Sequence, residues 1–101
     1  MFKAMILLAR REDATPEAFR SWLLDRHAPL AATLPGLRRL TYNIVEGDEA
    51  PYDGVAELWF DSRADFDAAY ATEIGSAVAA DSMANVRSRT RLLVDERPIT
   101  G

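Results

Sequence analysis

LRRLTYNIVEGDEAPYDGVAELWF, residues 37–60, decides the fold. Residues 37–46 alternate imperfectly and are rich in β-formers, so they read as a strand. The glycines, proline and aspartates of GDEAPYDG, residues 47–54, read as a turn region. VAELWF, residues 55–60, reads as a second strand, with Val55, Glu57 and Trp59 on one face and Ala56, Leu58 and Phe60 on the other. Two strands in direct succession between helical stretches break the strand–helix alternation of a parallel sheet and call for antiparallel pairing.

Upstream, FKAMILLAR (residues 2–10) is an apolar run too short for a typical helix and reads as a buried strand. Thr15-Pro16-Glu17 is a helix start, because threonine caps exposed amides and proline suits the first helical position. Phe19, Trp22, Leu23, Arg26, Leu30 and Leu34 recur at three- and four-residue intervals, one apolar stripe crossed by an arginine. Pro35-Gly36 ends the helix. Downstream, Ser62 to Asp65 is a capping-box-like start. A helix through Phe66, Ala69 and Tyr70 is expected to break near Gly75 and resume to about Ala80, with DSMANV (residues 81–86) irregular or a short turn. SRTRLLVDE (residues 88–96) reads as the last strand.

The order strand, helix, strand, strand, helix, strand predicts an α+β, ferredoxin-like βαββαβ domain, a four-stranded antiparallel sheet with both helices on one face. The other face has no cover within the chain. Its apolar side chains predict a homodimer with the two sheets face to face.

Length and composition narrow the function. The 101 residues make a single domain over 1–101, with apolar and charged fractions of 49% and 28% that suit an ordinary globular protein. The longest apolar run, Ala4 to Ala9, is far short of the ~20 residues of a membrane span. It leads into Arg10-Arg11-Glu12-Asp13, unlike a signal-peptide cleavage site, so no membrane association and a cytoplasmic location are expected. The net charge of −4 opposes nucleic-acid binding. The absence of cysteine removes disulfides, thiolate metal sites and a cysteine nucleophile. No glycine-rich phosphate loop or nucleophile elbow is present, and one histidine is a poor basis for catalytic zinc.

FRSWLLDRHAPLAATLPGLRRLTYNIV followed by PYDGVAELWFDS resembles the EthD family, named from ethyl tert-butyl ether degradation, of the dimeric α+β barrel superfamily. The resemblance runs from about Met1 to Arg97 and rests on His27-Ala28-Pro29, Pro35-Gly36, Asn43 and the Asp53-Gly54 to Phe60 block. It implies a homodimer with a small-molecule pocket between the helices and sheet of each protomer. It also implies relatives, including isomerases and small lyases, that work without metal or organic cofactor. Other superfamily members are monooxygenases, some of them haem-binding. The chain departs from the family pattern at Leu40, where relatives carry an aromatic, and at Ala84-Asn85-Val86-Arg87, where they carry an aspartate-bearing segment.

Within that resemblance His27, the only histidine, is the candidate general acid/base, since an ordinary imidazole titrates near neutral pH. Pro29 lacks an amide hydrogen and its ring crowds the carbonyl of Asp25, so the helix is expected to kink or loosen beside His27. His27 falls on the margin of the apolar stripe, placing it at a pocket rim. The competing reading is a histidine that packs there and bonds a freed carbonyl. Asn43 is a second catalytic candidate, orienting a substrate carbonyl; alternatively its amide pairs with backbone. Trp22, Tyr42, Tyr52, Glu57 and Trp59 are candidates for substrate binding, with Trp22 and Trp59 also readable as core and Glu57 as the partner of Arg39 or Arg91. Asp53 reads most simply as turn chemistry. Arg87, Arg89 and Arg91 alternate along the last strand as a solvated or salt-bridged row, or as a seat for an acidic substrate. No cofactor is expected; axial ligation of haem by His27 is the minority alternative. Two functions follow: a cofactor-independent isomerase, lyase or oxygenase on a small cyclic or aromatic compound, or a non-catalytic small-molecule binding or accessory protein of a degradation pathway.

Overall fold

The computed structural model describes residues 1–101. Strands β1 (Phe2–Arg10), β2 (Arg39–Ile44), β3 (Gly54–Phe60) and β4 (Val86–Val94) form one antiparallel sheet in the order β2-β3-β1-β4. The first helical layer is α1 (Pro16–Ser21), a π-helical turn (Trp22–His27) and α2 (Ala28–Ala31). The second is α3 (Arg63–Tyr70) and α4 (Glu73–Asn85). The ferredoxin-like α+β arrangement read from the sequence is the one observed. No helix is long and apolar enough to cross a membrane.

Period-two alternation sorts the two central strands. Ala4, Ile6 and Leu8 of β1 and Ala56, Leu58 and Phe60 of β3 turn to the helices, where they pack with Phe19, Leu23, Phe66 and Val78. Thr15 caps α1, its Oγ1 accepting from the Ala18 amide at 3.1 Å with Pro16 in the first turn. Ser62 caps α3 through the Asp65 amide, also at 3.1 Å.

Pro29 acts as its chemistry requires, though by widening the helix rather than breaking it. The amide of Ala28 bonds back to the carbonyl of Leu23, five residues earlier, and one wide turn absorbs the proline. The extra residue shifts the helical phase. His27 turns inward to 4% exposure, whereas Arg26, which regular spacing put in the apolar stripe, is exposed.

The second helical layer departs from expectation. The break lies at Ala71-Thr72, not Gly75, and residues 81–85 continue α4 instead of forming a turn. Thr72 decides the first point, its Oγ1 accepting from the Gly75 amide at 3.1 Å and so starting a new helix. The second follows from tertiary partners. Asp81 and Asn85 bond one turn apart, with Asn85 Nδ2 donating to the Asp81 carbonyl at 2.9 Å, and Asp81 and Ser82 meet His27 across the layer. Local turn preference of Asp, Ser and Asn loses to those contacts. The strand that follows therefore begins at Val86, opposite Arg10 beyond a register shift at Ala9/Arg10.

Gly75 occupies the crowded inside of the α3–α4 corner. A Cβ there would overlap the Ala69 carbonyl oxygen and the Tyr70 Cα, which are backbone atoms that cannot step aside. Gly75→Ala is expected to destabilise the fold by about 1–3 kcal/mol, although alanine is the better helix former. Urea unfolding checks this; a stability gain would show that the corner is looser than described.

Candidate functional site

His27 closes the π turn and lies between the two helical layers. Its Nδ1 is 2.8 Å from Asp81 Oδ2, and its Nε2 is 3.3 Å from Ser82 Oγ. The indole N–H of Trp22 donates to Asp81 Oδ2 at 3.2 Å, and the Trp22 ring stands 4.9 Å from the imidazole, tilted 36°. Asn85 Nδ2 donates to Asp81 Oδ1 at 3.2 Å. Asp81 is thus held by three donors from two layers. A carboxylate accepts and does not donate, so Nδ1 carries a proton, and in the neutral ring Nε2 is the nitrogen with the lone pair.

His27 lines a small cavity of about 10 Å³, room for a single water, between the helices and the sheet. His27, Ser82, Tyr42 and Tyr70 are its polar walls and apolar side chains of β1, β3, α2 and α4 complete it. The Tyr42 ring meets the imidazole edge-on at 6.2 Å. Burial pushes the Tyr42 phenol well above the usual tyrosine range, helped by the nearby Tyr70 and Asp81. Burial raises Tyr70 too, against the pull of Arg89. Both phenols therefore keep their protons at neutral pH and present O–H donors. With both imidazole nitrogens engaged and room for one water, these residues do not fit a porphyrin on His27. No group of three or more His, Asp or Glu side chains gathers to hold a metal ion.

The sheet divides the sequence-derived candidates. Trp22, His27 and Tyr42 share the helix side. Asn43, Glu57, Trp59 and Tyr52 belong to the opposite, open side, so the pairing of His27 with Asn43 does not form. Strand alternation is the reason, since Tyr42 and Asn43 are neighbours and must point opposite ways. Asn43 Nδ2 instead donates to the Val55 carbonyl and to Glu57 Oε2, both at 3.2 Å. The Tyr52 hydroxyl approaches Thr90 Oγ1 at 3.5 Å. Asp53, expected to serve the turn, instead accepts from the amide of Arg10 at the end of β1, at 2.8 Å. His27 lies deeper than the rim position expected of it.

Glu57 pairs with neither Arg39 nor Arg91. Its partner is Lys3, whose Nζ lies 2.8 Å from Glu57 Oε1 and 2.8 Å from Glu96 Oε2. Lys3 is the diagonal neighbour of Glu57 in the β1–β3 register, while Arg91 belongs to the helix side. Trp59 stands between cations, with Lys3 4.7 Å and Arg39 4.6 Å from its ring centroid. The Lys3 ammonium, then the Asn43 amide, hold the Glu57 carboxyl below its usual value against the opposing effect of burial. Glu57 and then Glu96 raise Lys3.

Sequence reasoning missed Asp81, Ser82, Asn85 and Tyr70. A signal existed for Ser82: it stands four residues after Val78, in phase with the buried face of a helix continued past Ala80.

Residues 11–86 match the EthD domain family. An uncharacterised 11.0 kDa protein of the thcB–thcC intergenic region of Rhodococcus erythropolis is 28% identical over 93% of this chain and 95% of its own. An ethyl tert-butyl ether degradation family protein of Bacillus halodurans superposes with a TM-score of 0.83 at 24% identity, over 96% of this chain and all of that one. A dimeric ferredoxin-like protein of Thermobifida fusca gives 0.75 at 17% identity, over 92% and 88%. SnoaB, a cofactor-independent oxygenase of Streptomyces nogalater, solved as an Asn-to-Ala mutant, gives 0.71 at 20% identity, over 96% and 93%.

A depressed carboxylate stabilises the folded state above its unfolded pKa, and that stability is lost as pH falls through the folded value. Glu57→Gln is therefore expected to cost about 1–2 kcal/mol near neutral pH, from the lost charged hydrogen bonds. The cost should shrink toward zero well below the usual glutamate value of 4.5. Urea unfolding of both proteins at one protein concentration, across the acid range, checks this; a gap that stays constant with pH would contradict it.

Proposed function

This chain belongs to the EthD family, and we propose that it is a cofactor-independent isomerase, lyase or oxygenase acting on a small cyclic or aromatic compound, with His27 as acid/base. The observation that carries the reading is the buried imidazole, bound through Nδ1 to Asp81 and lining the cavity together with Ser82 and Tyr42. In such a dyad Nε2 removes a proton from the substrate while Asp81 fixes the ring and stabilises the imidazolium that forms. The Tyr42 phenol, which burial keeps protonated, supplies an O–H toward oxygen charge that develops on the substrate. Tyrosine takes this role in preference to Asn43, which is on the other side of the sheet. The cavity has room for only one water in this conformation, so substrate entry displaces side chains at its walls, Tyr42 and Tyr70 among them.

The working unit of the proposal is a homodimer. The open sheet face places Met5, Leu7, Val55 and Leu92 around the Lys3–Glu57–Glu96 cluster, a surface no helix of the chain covers. The Thermobifida fusca protein of the same fold is dimeric. Binding without turnover, in a degradation pathway, is the second reading. It draws on Ser82 Oγ, which already engages the lone pair a base would use.

One experiment separates the readings. A panel of lactones, phenols and small aromatic acids is assayed with the wild-type protein and with His27→Gln, each checked by light scattering. The proposal expects turnover that falls about 10²–10⁴-fold in the variant, with both proteins at twice the 11.2 kDa chain mass. A rate intact in His27→Gln removes the acid/base role, ligand binding without turnover selects the second reading, and a monomer removes the assembly.

A further inference from the structure

The arginines of β4 stand apart from the other ion pairs of the molecule. Arg87, Arg89 and Arg91 alternate along the strand, yet no carboxylate lies within 4.0 Å of any of them, although the chain carries a net charge of −4. Arg89 and Arg91 are on the helix side, opposite Leu8 and Ile6 of β1, and the Arg91 guanidinium lies 4.9 Å from the Phe66 ring centroid. Arg89 is half-buried and its Nε is shut off from solvent without any hydrogen-bond partner. A charged donor in that state is costly unless something accepts from it.

The register places these cations beside the cavity. Arg89 is paired with Leu8 and Arg91 with Ile6, and both Leu8 and Ile6 line the cavity at His27. Arg89 is therefore one strand spacing, about 5 Å, from the cavity wall. Tyr70 lines the cavity and also interacts with the Arg89 guanidinium, linking the two. Moving the Tyr70 ring, which substrate entry requires, would open the cavity onto Arg89.

We infer that Arg89, with Arg91 behind it, receives the carboxylate of the substrate, which makes the substrate a small cyclic or aromatic acid whose reacting atoms lie toward His27. This rests on the reading of the His27 cavity as the substrate site. A guanidinium offers a planar fork that matches a carboxylate. A carboxylate there would satisfy the orphaned Nε–H and supply the negative charge the stripe lacks. Arg89 would act as a specificity-determining residue, holding one end of the substrate while the proton is moved at the other.

Benzoate and benzamide, equal in shape and differing in charge, test this. Each is titrated into the full-length protein while the imidazole carbon-bound protons of the single histidine are followed by NMR. The expected result is that both shift the His27 signals, that benzoate binds about ten-fold or more tightly than benzamide, and that Arg89→Gln abolishes this preference without weakening benzamide. Arg89→Lys, which keeps charge but not the fork, should retain part of it and serves if the glutamine variant fails to fold. Equal binding of the two ligands by the wild type, or a preference surviving in Arg89→Gln, overturns the assignment to Arg89 and leaves the cavity reading intact. If neither ligand moves the His27 signals, the cavity reading falls and this inference with it.

Discussion

The bond between His27 and Asp81 ties the first helical layer to the second, and the arrangement of the helix side of the sheet follows from it. For it to form, the helix after Thr15 must deliver a polar ring into an apolar interior, and the chain does so with the wide turn before Pro29. A regular helix would have kept His27 at the margin and carried Arg26 toward the core, where a guanidinium without a partner is expensive. The wide turn removes that conflict and lets Asp81 meet the imidazole and the Trp22 indole together. Leaving such buried donors unpaired would cost on the order of 1–3 kcal/mol each. The irregular turn and the polar cluster are therefore two parts of one solution.

The two faces of the sheet separate two kinds of electrostatics. On the helix side, polar groups are few; His27, Trp22, Asp81 and Ser82 partner one another, while Arg89 Nε has no partner. On the open side, Lys3, Glu57, Glu96, Asn43, Trp59 and Arg39 form one network in which opposite charges neutralise each other. A compensated network of this kind suits a surface that packs against a second protein surface, because no single charge is stranded when water leaves. Asn43, Glu57 and Trp59 thereby acquire a structural explanation, while His27 is left with a cavity.

Much of this was legible in the sequence. The strand pair at residues 37–60 fixed antiparallel topology, alternation in VAELWF sorted both faces of β3, and Thr15-Pro16 located a helix start to the residue. Pro29 gave notice of irregularity at His27. What could not be read was the direction of its effect, because a proline permits a kink, a break or a wide turn, and packing chooses among them. The helical state of residues 81–85 was hidden for a related reason. Asp81, Ser82 and Asn85 have turn-forming preferences locally; partners more than fifty residues away in sequence, His27 and Trp22, hold Asp81 and Ser82 in a helix, and Asn85 then bonds back to Asp81. The site was half visible: the imidazole could be chosen as the lone histidine, but its carboxylate could not be told from the other acidic residues without the fold.

Asp81 fixes the protonation geometry of His27, placing the proton of the neutral ring on Nδ1 and leaving Nε2, beside Ser82 Oγ, as the acceptor. A long-range nitrogen–proton NMR correlation of the single imidazole, at a pH where the ring is neutral, reads that geometry directly. The account predicts the tautomer with the proton on Nδ1 and an unprotonated Nε2, and a mixture of tautomers in Asp81→Ala. A wild-type ring with its proton on Nε2 would contradict it, since Asp81 would then accept nothing from the imidazole.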